Sequence, residues 1–377
     1  MPFSITALFI LLLVILVLGI AGFEYCFNKR RKRVSPAYGL DRHAHNPIIS
    51  PSPHRDWESE GTFNPAAVKD SKGLIHLFYR AIGRDGLSRV GHATSRDGIH
   101  IDSRSPFPVY EPLPGYGMPE ESEANLPHHH DPEAHPSGGG WGGAEDPRAT
   151  QIDDRVYITY TAFEGWGSMR IAVTSISMND LENEQWKWKT PRLLSPAGAR
   201  AKNWVIFPEK IGGRYAILHG IAPKIMIAYV DSPDAVPKIE SLKDHGGGGY
   251  RDPSRAKHWD SHVRGAGTPP LRTSVGWLLL YHAVDSRDPK KVVGYKVGAM
   301  LLDLKDPTKI LYRSPEPILS PDMHYENDGK PGVVYATGAL IKDDKLLVYY
   351  GGGDKHTCVA ETPLQPLLDW LIKYGKI

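Results

Sequence analysis

Five stretches of the chain share one pattern of apolar and polar positions. Each begins with a short polar turn and continues as an apolar, aromatic-rich run, a pattern typical of β-strands. A second apolar run follows, and the units recur about every 60 to 80 residues without a long helical pattern between them. The predicted first strands are Gly73–Tyr79, Asp154–Tyr160, Gly213–His219, Gly276–His282 and Asp344–Tyr350. Their partners are Val90–Ser95, Ile171–Ile176, Ile225–Val230, Val297–Leu302 and Thr357–Ala360.

These five units predict an all-β fold, namely a five-bladed β-propeller in which small antiparallel sheets stand around a central channel. A β-sandwich with additional strands is the alternative that the pattern leaves open. In a propeller the inner strand ends of every blade meet at one axial funnel, so their polar residues can converge on one ligand. We therefore expect the functional residues at strand ends.

The amino-terminal segment differs from the rest of the chain. Residues 3–23 carry no charge and are enough to cross a hydrocarbon core of about 30 Å as a helix. A basic run, 29–33, follows, and the positive-inside rule then places the body on the cytoplasmic side. We therefore predict a single-pass membrane protein with the lipid bilayer as a partner. The predicted domains are a membrane helix (1–27), a basic juxtamembrane segment and tether (28–53), and a catalytic propeller (54–377) with an inserted loop (111–140).

Composition and charge narrow the list of partners. The 377 residues include 45 basic and 43 acidic side chains, for a net charge of +2, so no global field favours nucleic acid. The two cysteines, Cys26 and Cys358, exclude a disulfide framework. The inserted loop 111–140 contains four histidines, which raises a metal site as a hypothesis. Because a loop rich in glycine and proline lacks fixed ligand geometry, we expect a lid beside the active site and no metal.

The candidate chemistry centres on Gly142–Tyr160. There, a Glu145-Asp146-Pro147-Arg148 cluster follows two glycines and precedes an alternating strand pattern. The proline is expected to hold Asp146 in an extended conformation, which places a carboxylate at the mouth of a sheet. Taken alone, the cluster is equally compatible with a structural ion pair between Asp146 and Arg148 at a turn.

Polar motifs at the strand ends, taken in order, resemble those of glycoside hydrolase family 130, which comprises β-mannoside phosphorylases and some β-mannosidases on a five-bladed propeller. The resemblance covers roughly Asn46 to Ala360. The motifs are Phe63-Asn64-Pro65-Ala66, Phe78-Tyr79-Arg80-Ala81, Ser88-Arg89-Val90-Gly91, Gly143-Ala144-Glu145-Asp146-Pro147-Arg148, Phe207-Pro208-Glu209-Lys210-Ile211, Gly265-Ala266-Gly267-Thr268-Pro269-Pro270, Trp277–His282 and Tyr349–Asp354.

The resemblance implies an inverting phosphorylase that transfers a β-linked mannosyl residue to inorganic phosphate and releases α-mannose 1-phosphate. It implies an oligosaccharide or glycan substrate, and no cofactor besides phosphate as co-substrate. Asp146 matches the catalytic acid, which acts through the 3-hydroxyl of the bound mannosyl unit. The residues that match the sugar-binding set are Asn64, Arg80 and Asp354. Those that match the phosphate-binding set are Arg89, Lys210, His282 and Tyr295.

Two other functions stay open at this point. Inverting hydrolysis needs a second carboxylate as a base, whereas phosphorolysis needs one acid and a cationic cradle for the phosphate dianion. An inverting β-mannosidase is therefore an alternative, with Glu209, Asp260 and Glu326 as candidate bases. A non-catalytic, glycan-binding propeller is the other. The linkage and the acceptor sugar depend on loops such as 111–140, which lie outside the resemblance.

Overall fold

Antiparallel β-strands build the body of the protein, as seen in a computed structural model that describes residues 39–118, 129–165, 167–198, 200–239, 249–285 and 294–376. Leu40–Ile377 forms one folded unit, which begins inside the predicted tether. Its strands fall into five consecutive repeats. The five predicted strand pairs lie in these repeats, one pair in each.

The first repeat consists of β2 (Gly61–Lys69), β3 (Ile75–Ile82), β4 (Leu87–Ser95) and β5 (Ser103–Arg104). The second consists of β6 (Gly142–Ile152), β7 (Arg155–Phe163), β8 (Met169–Ser177) and β9 (Arg192–Leu193). The third consists of β10 (Val205–Ile206), β11 (Tyr215–Gly220) and β12 (Met226–Val230). The fourth consists of β13 (Tyr250–Arg251), β14 (His262–Ala266), β15 (Leu271–Arg272), β16 (Trp277–Val284), β17 (Tyr295–Leu302) and β18 (Ile310–Arg313). The fifth consists of β19 (Val334–Lys342), β20 (Lys345–Gly352), β21 (His356–Pro363) and β1 (Asp41–Arg42).

The repeats are arranged in a ring. The first strand β2 contacts both β6 of the second repeat and β19 of the fifth, and contacts continue from β6 to β10, from β11 to β14 and from β16 to β19. Asp41 in β1 lies opposite Glu361 in β21, so the beginning of the folded unit completes the sheet of the last repeat. The central strands β3 and β16 are buried along their whole length, which agrees with their largely apolar sequences.

Two parts of the predicted fold need correction. The repeats are not five separate sheets, because Leu87 and Ser88 pair in parallel with Gly142 and Gly143 and join the first two repeats. The predicted transmembrane helix is also corrected. In the part of the chain that the structure describes, no helix is long and apolar enough to cross a membrane. Residues 3–23, on which the prediction was based, lie outside the described residues.

The helices in the described ranges explain this finding. They are α1 (Met178–Glu182), α2 (Leu364–Tyr374) and 3₁₀ turns at Asp56–Glu58, Pro253–Arg255 and His324–Glu326. At 1.5 Å per residue, the 11 residues of α2 span roughly half of a hydrocarbon core. Leu367, Leu368, Trp370 and Leu371 of this helix are buried against the strands. The single-pass topology, the bilayer as a partner and the cytoplasmic placement are therefore not retained.

Three repeats contain the same buried polar triad, in which a tyrosine donates to a carboxylate that also pairs with an arginine. Tyr79 donates to Glu58 (2.7 Å), Tyr281 to Asp260 (2.7 Å) and Tyr350 to Glu326 (2.8 Å). The arginines that pair with these carboxylates are Arg104, Arg313 and Arg42. Because all three carboxylates are fully buried, their charges depend on these partners. The triads therefore have a structural role.

A histidine pair in the first repeat should make stability depend on pH. His76 Nδ1 and His92 Nε2 are 2.9 Å apart, and both rings are buried. Burial, reinforced by the neighbouring His76, lowers the pKa of His92 to about 3. The unfolded chain, with a histidine pKa of about 6.5, therefore takes up a proton first as the pH falls. Stability attributable to His92 is complete above about pH 6.5 and declines below it, by roughly 2 kcal/mol at pH 5.

Urea unfolding of the wild type and of His92→Leu at pH 7 and pH 5 would measure this effect. The variant should lose roughly 2 kcal/mol less than the wild type between the two pH values, because it lacks the proton uptake. Carboxylate contributions are common to both proteins and cancel in the comparison. Equal losses in the two proteins would show that His92 is not responsible.

Candidate active site

The inner ends of the strands meet at a pocket of about 210 Å³. Four cationic side chains and two carboxylates take part in its wall. The lining residues are Asn64, Arg80, Pro136, Ser137, Asp146, Lys202, Asn203, Arg264, Tyr295, Lys330, Val333, Tyr335 and Asp354. With more positive than negative groups, the pocket favours an anionic ligand.

β-Bulges place Asn64 and Asp146 in the pocket. The pairing register shifts once in β2 and once in β6, at corresponding positions of the two strands. Asn64 and Asp146 lie within these shifts, each directly before a proline. Asn64 has φ of 51° and Asp146 φ of 52°, a left-handed conformation that Asn and Asp tolerate better than most residues. The prediction that Pro147 holds Asp146 extended is therefore wrong. Proline disfavours mainly the right-handed helical region of the preceding residue, and the bulge selects the left-handed one.

The carboxylate of Asp146 is buried and held on one side. Its Oδ1 accepts hydrogen bonds from Asn64 Nδ2 (2.8 Å) and Arg80 Nη1 (3.3 Å). Among the described residues, no side chain donates to Oδ2. Burial by itself would raise the pKa of Asp146, but the charges of Arg80, Lys202 and Arg148 and the Asn64 hydrogen bond outweigh it and lower the pKa to about 2.

Glu145, next to the candidate acid in sequence, anchors two of the pocket cations. Its Oε1 accepts from Arg80 Nη2 at 2.8 Å, and its Oε2 lies 3.0 Å from Lys202 Nζ. Glu145 is fully buried, so its charge is compensated by these two residues. The same two cations also hold Ser137, whose carbonyl accepts from Arg80 (2.7 Å) and whose hydroxyl lies 3.2 Å from Lys202.

Arg148 does not form the ion pair with the Asp146 carboxylate that the motif alone left open. It donates instead to the backbone carbonyls of Asp146 and Gly267, at 2.8 Å each, and to Asn203 Oδ1 at 2.7 Å. Tyr335 donates to the same Asn203 oxygen at 2.8 Å. Arg148 therefore fixes the backbone beside the acid and one wall of the pocket.

The structure brings together five of the eight predicted site residues. Asn64, Arg80, Asp146, Tyr295 and Asp354 line the pocket. His282 lies behind the wall, fully buried and stacked on Tyr335 with ring centroids 3.7 Å apart. Burial, with the charge of Arg148, lowers the pKa of His282 to about 3, so this histidine is neutral at pH 7.

Arg89 and Lys210 do not line the pocket. Arg89 pairs with Asp85 (2.7 Å) and Glu111 (3.1 Å) at the base of the inserted loop. Lys210 is exposed, and its Nζ lies 4.8 Å from the ring centroid of Tyr215. Arg89 and Lys210 belong to the motifs that the resemblance indicated, but their side chains contact residues that do not line the pocket.

Three pocket cations were not predicted from the sequence. Lys202 precedes β10, Lys330 precedes β19, and Arg264 lies in the short strand β14. The Arg264 guanidinium lies 5.1 Å from the ring centroid of Tyr295, and Lys330 Nζ lies 3.4 Å from Asp354 Oδ2. None of them follows a strong apolar strand. The sequence therefore gave only a weak indication of these three cations, namely that each is a basic residue close to a predicted strand pair.

The described part of the inserted loop forms one side of the pocket through Pro136 and Ser137. The Pro136 carbonyl accepts a hydrogen bond from Lys330 Nζ at 2.8 Å. Together with Arg80 and Lys202, which contact Ser137, three pocket cations therefore hold this part of the loop. Across the described residues, no group of three or more His, Cys, Asp or Glu side chains is placed to hold a metal ion. Residues 119–128 of the loop lie outside the described part.

Comparisons with known proteins show which proteins this chain resembles. A family model described as beta-1,4-mannooligosaccharide phosphorylase matches residues 131–373. A 1,2-beta-oligomannan phosphorylase from a Thermoanaerobacter species is 36% identical, over 85% of this chain and 96% of the relative. A beta-1,2-mannobiose phosphorylase from the same organism is 34% identical, over 86% and 97% of the two chains.

A solved structure gives the same picture for the fold. A glycosyl hydrolase from Bacteroides ovatus superposes with a TM-score of 0.66 and 26% sequence identity, over 87% of this chain and 95% of that one. Because it covers 87% of this chain, the match concerns more than a single repeat.

Proposed function

Because the chain belongs to glycoside hydrolase family 130, we propose that it transfers a β-linked mannosyl residue to inorganic phosphate and releases α-mannose 1-phosphate. One observation carries the proposal: the buried, hydrogen-bonded carboxylate of Asp146 shares a pocket with cationic side chains from separate parts of the chain. Phosphorolysis needs these two elements, an acid for the leaving oxygen and a cationic cradle for a dianion.

Lys202, Arg264 and Tyr295 form the proposed phosphate cradle. All three line the pocket, and Arg264 lies over the ring of Tyr295, which limits the positions open to its guanidinium. They replace Arg89 and Lys210 in this role, since neither of those residues reaches the pocket. Asn64, Arg80 and Asp354 remain the proposed contacts of the mannosyl unit. No metal or organic cofactor is required.

Asp146 is the proposed acid, with Oδ2 as the oxygen that carries the proton. Oδ1 is occupied by Asn64 and Arg80, so Oδ2 can serve the substrate. Before phosphate binds, the low pKa keeps Asp146 ionised at pH 7. A phosphate dianion in the cradle offsets the charges that depress this pKa, so phosphate binding favours the protonated acid. The acid is thus formed when the nucleophile is in place.

The proposed chemistry balances without another reactant. A phosphate oxygen forms the new bond to the anomeric carbon as the bond to the leaving oxygen breaks. The proton of Asp146 passes to that oxygen through the sugar 3-hydroxyl, as the family resemblance implies. Hydrogenphosphate supplies the proton that restores Asp146, so one glycoside and one hydrogenphosphate give one alcohol and one sugar phosphate.

A β-1,2-linked mannoside is the proposed substrate. The relatives at 36% and 34% identity act on β-1,2-linked mannosides according to their names. The pocket is small, and Pro136 and Ser137 close one side of it, which suits the terminal sugar of a chain better than an internal one.

Hydrolysis lacks support from the residues predicted for it. Asp260 and Glu326 are the buried carboxylates of two structural triads, and Glu209 pairs with Arg272 at 2.8 Å. None of the three lines the pocket, where the carboxylates are Asp146 and Asp354. An inverting hydrolase would need a second carboxylate as a base, whereas Asp354 pairs with Lys330 at 3.4 Å and is a proposed contact of the mannosyl unit.

The proposal predicts phosphate-dependent cleavage. The full chain would be incubated with β-1,2-mannobiose and with β-1,4-mannobiose, each with and without inorganic phosphate, with Asp146→Asn as the blank. We expect mannose 1-phosphate from the β-1,2 substrate in the presence of phosphate, and little cleavage in its absence. Equal release of free mannose without phosphate would assign the protein to the hydrolases.

A further inference from the structure

Gly351 makes an unusually close approach to the residue that holds the candidate acid. A Cβ atom built on Gly351 would lie 2.0 Å from Asn64 Oδ1 and 2.9 Å from the Asn64 backbone nitrogen. Such contacts are far inside van der Waals distance. The two residues belong to strands of different repeats, β20 and β2, which are neighbours in the ring. Position 351 therefore has no space for a side chain while Asn64 keeps its present orientation.

Backbone conformation does not explain this glycine. Gly353, two residues later, has φ of 61°, whereas Gly351 is not in the left-handed region. Gly351 also pairs regularly with Tyr335 and Thr357 in its sheet. Any residue could adopt the backbone of a regular strand, so the requirement for glycine comes from the contact with Asn64.

The orientation of Asn64 matters because its two amide atoms have different tasks. Nδ2 donates to Asp146 Oδ1 at 2.8 Å, while Oδ1 is buried, faces Gly351 and has no hydrogen-bond partner among the described residues. If the amide were reversed, its oxygen would face the carboxylate of Asp146, and two acceptors would oppose each other. The Cα hydrogen of Gly351 offers the oxygen a weak C–H···O contact in the present orientation.

From this geometry we propose that Gly351 is a positioning residue for the reaction. Its missing side chain lets β20 approach β2, which keeps the Asn64 amide directed at Asp146 and the acid in place. The inference rests on the proposed function. It adds a residue that touches neither sugar nor phosphate, and it assigns a role in the chemistry to the interface between the first and fifth repeats.

The test compares Gly351→Ala with Gly352→Ala. Gly352 lies in the same strand, and a Cβ atom there would meet Tyr325 O at 3.0 Å and Cys358 Sγ at 3.2 Å, neither of which lines the pocket. We expect Gly351→Ala to lower kcat by about 100-fold, because displacing a catalytic group by about 1 Å has an effect of that size. The KM for phosphate should change little, and Gly352→Ala should keep kcat within about threefold of wild type.

A double-mutant cycle with Asn64→Ala separates positioning from a general packing defect. Removal of the Asn64 amide removes the 2.0 Å contact, whereas the contact with the backbone nitrogen remains in both backgrounds. Gly351→Ala should therefore lower kcat by less than about fivefold when residue 64 is alanine. The same cycle is measured in Tm, so that a poorly folded single variant still reports coupling. A full additional effect of Gly351→Ala in the alanine background, in both readouts, would overturn the proposal.

The wild type distinguishes this proposal from the proposed function. If the wild type forms no mannose 1-phosphate, the assigned reaction fails, and the Tm cycle still decides whether Gly351 and Asn64 are coupled. If the wild type is active and Gly351→Ala has normal kcat while Asn64→Ala does not, the role of Gly351 alone is excluded.

Discussion

Asp146→Asn should lower kcat for phosphorolysis by about 1,000-fold, within the range typical of a lost general acid. The asparagine has nearly the same shape, so the pocket should stay intact, but it cannot release a proton to the leaving oxygen. The same change removes a negative charge from a pocket that receives a phosphate dianion. The affinity for phosphate should therefore rise, because like-charge repulsion in the pocket is reduced.

These two effects have opposite signs, which makes the experiment informative. Steady-state kinetics would give kcat, and titration calorimetry with inorganic phosphate would give the affinity. Asp153→Asn is a matched control, since Asp153 is also an aspartate with a positive φ, 52°, but is exposed at the turn between β6 and β7. A variant at position 146 with normal kcat would remove Asp146 from the mechanism.

Lys202→Met should lower kcat/KM for phosphate by about 100-fold, the value expected when a charged hydrogen bond to a dianion is lost. Most of the effect should appear as a higher KM for phosphate, because the ammonium group is removed from the proposed cradle. The loss of a positive charge near Asp146 should also raise the pKa of that carboxylate. Methionine keeps the length of the lysine stem but removes the ammonium, whose Nζ lies 5.5 Å from the Phe163 ring centroid and 3.0 Å from Glu145 Oε2, so Tm is measured beside the kinetics.

The matched control is Lys210→Met. Lys210 is the lysine that the family motif indicates, whereas Lys202 is the one that lines the pocket. With its ammonium near Tyr215 and exposed to solvent, Lys210 should tolerate the change with kcat/KM within about twofold of wild type. A loss at position 210 with none at position 202 would restore the assignment based on the motif and contradict the proposed cradle.

The pairing of strands could be predicted because apolar alternation and turn residues are local in sequence. Asp146 and Asn64 were indicated by the motifs of the family resemblance, in which each of them precedes a proline. Their conformations could not be predicted, since a bulge depends on the neighbouring strand. The proline rule therefore gave the wrong backbone for Asp146.

The cations show where prediction from motifs ends. Arg89 lies in a motif at a strand end. Successive side chains of a strand point to opposite faces of the sheet, so a motif alone does not tell which of its residues faces the pocket. Its guanidinium pairs with Asp85 and Glu111. Lys202 and Lys330 occupy irregular segments, where no periodicity indicates direction. Their convergence on the pocket follows from the ring and not from local sequence.

Pairing between β1 and β21 also bears on how the protein folds. Asp41 and Glu361 are opposite each other in one sheet although they are 320 positions apart, so this contact forms late and at a high cost in chain entropy. During synthesis, β1 must wait until β21 has left the ribosome. Until then, β1 lacks its strand partner and is exposed to other chains. Completion of the ring is therefore the step at which a chaperone would have most effect on the yield of active protein.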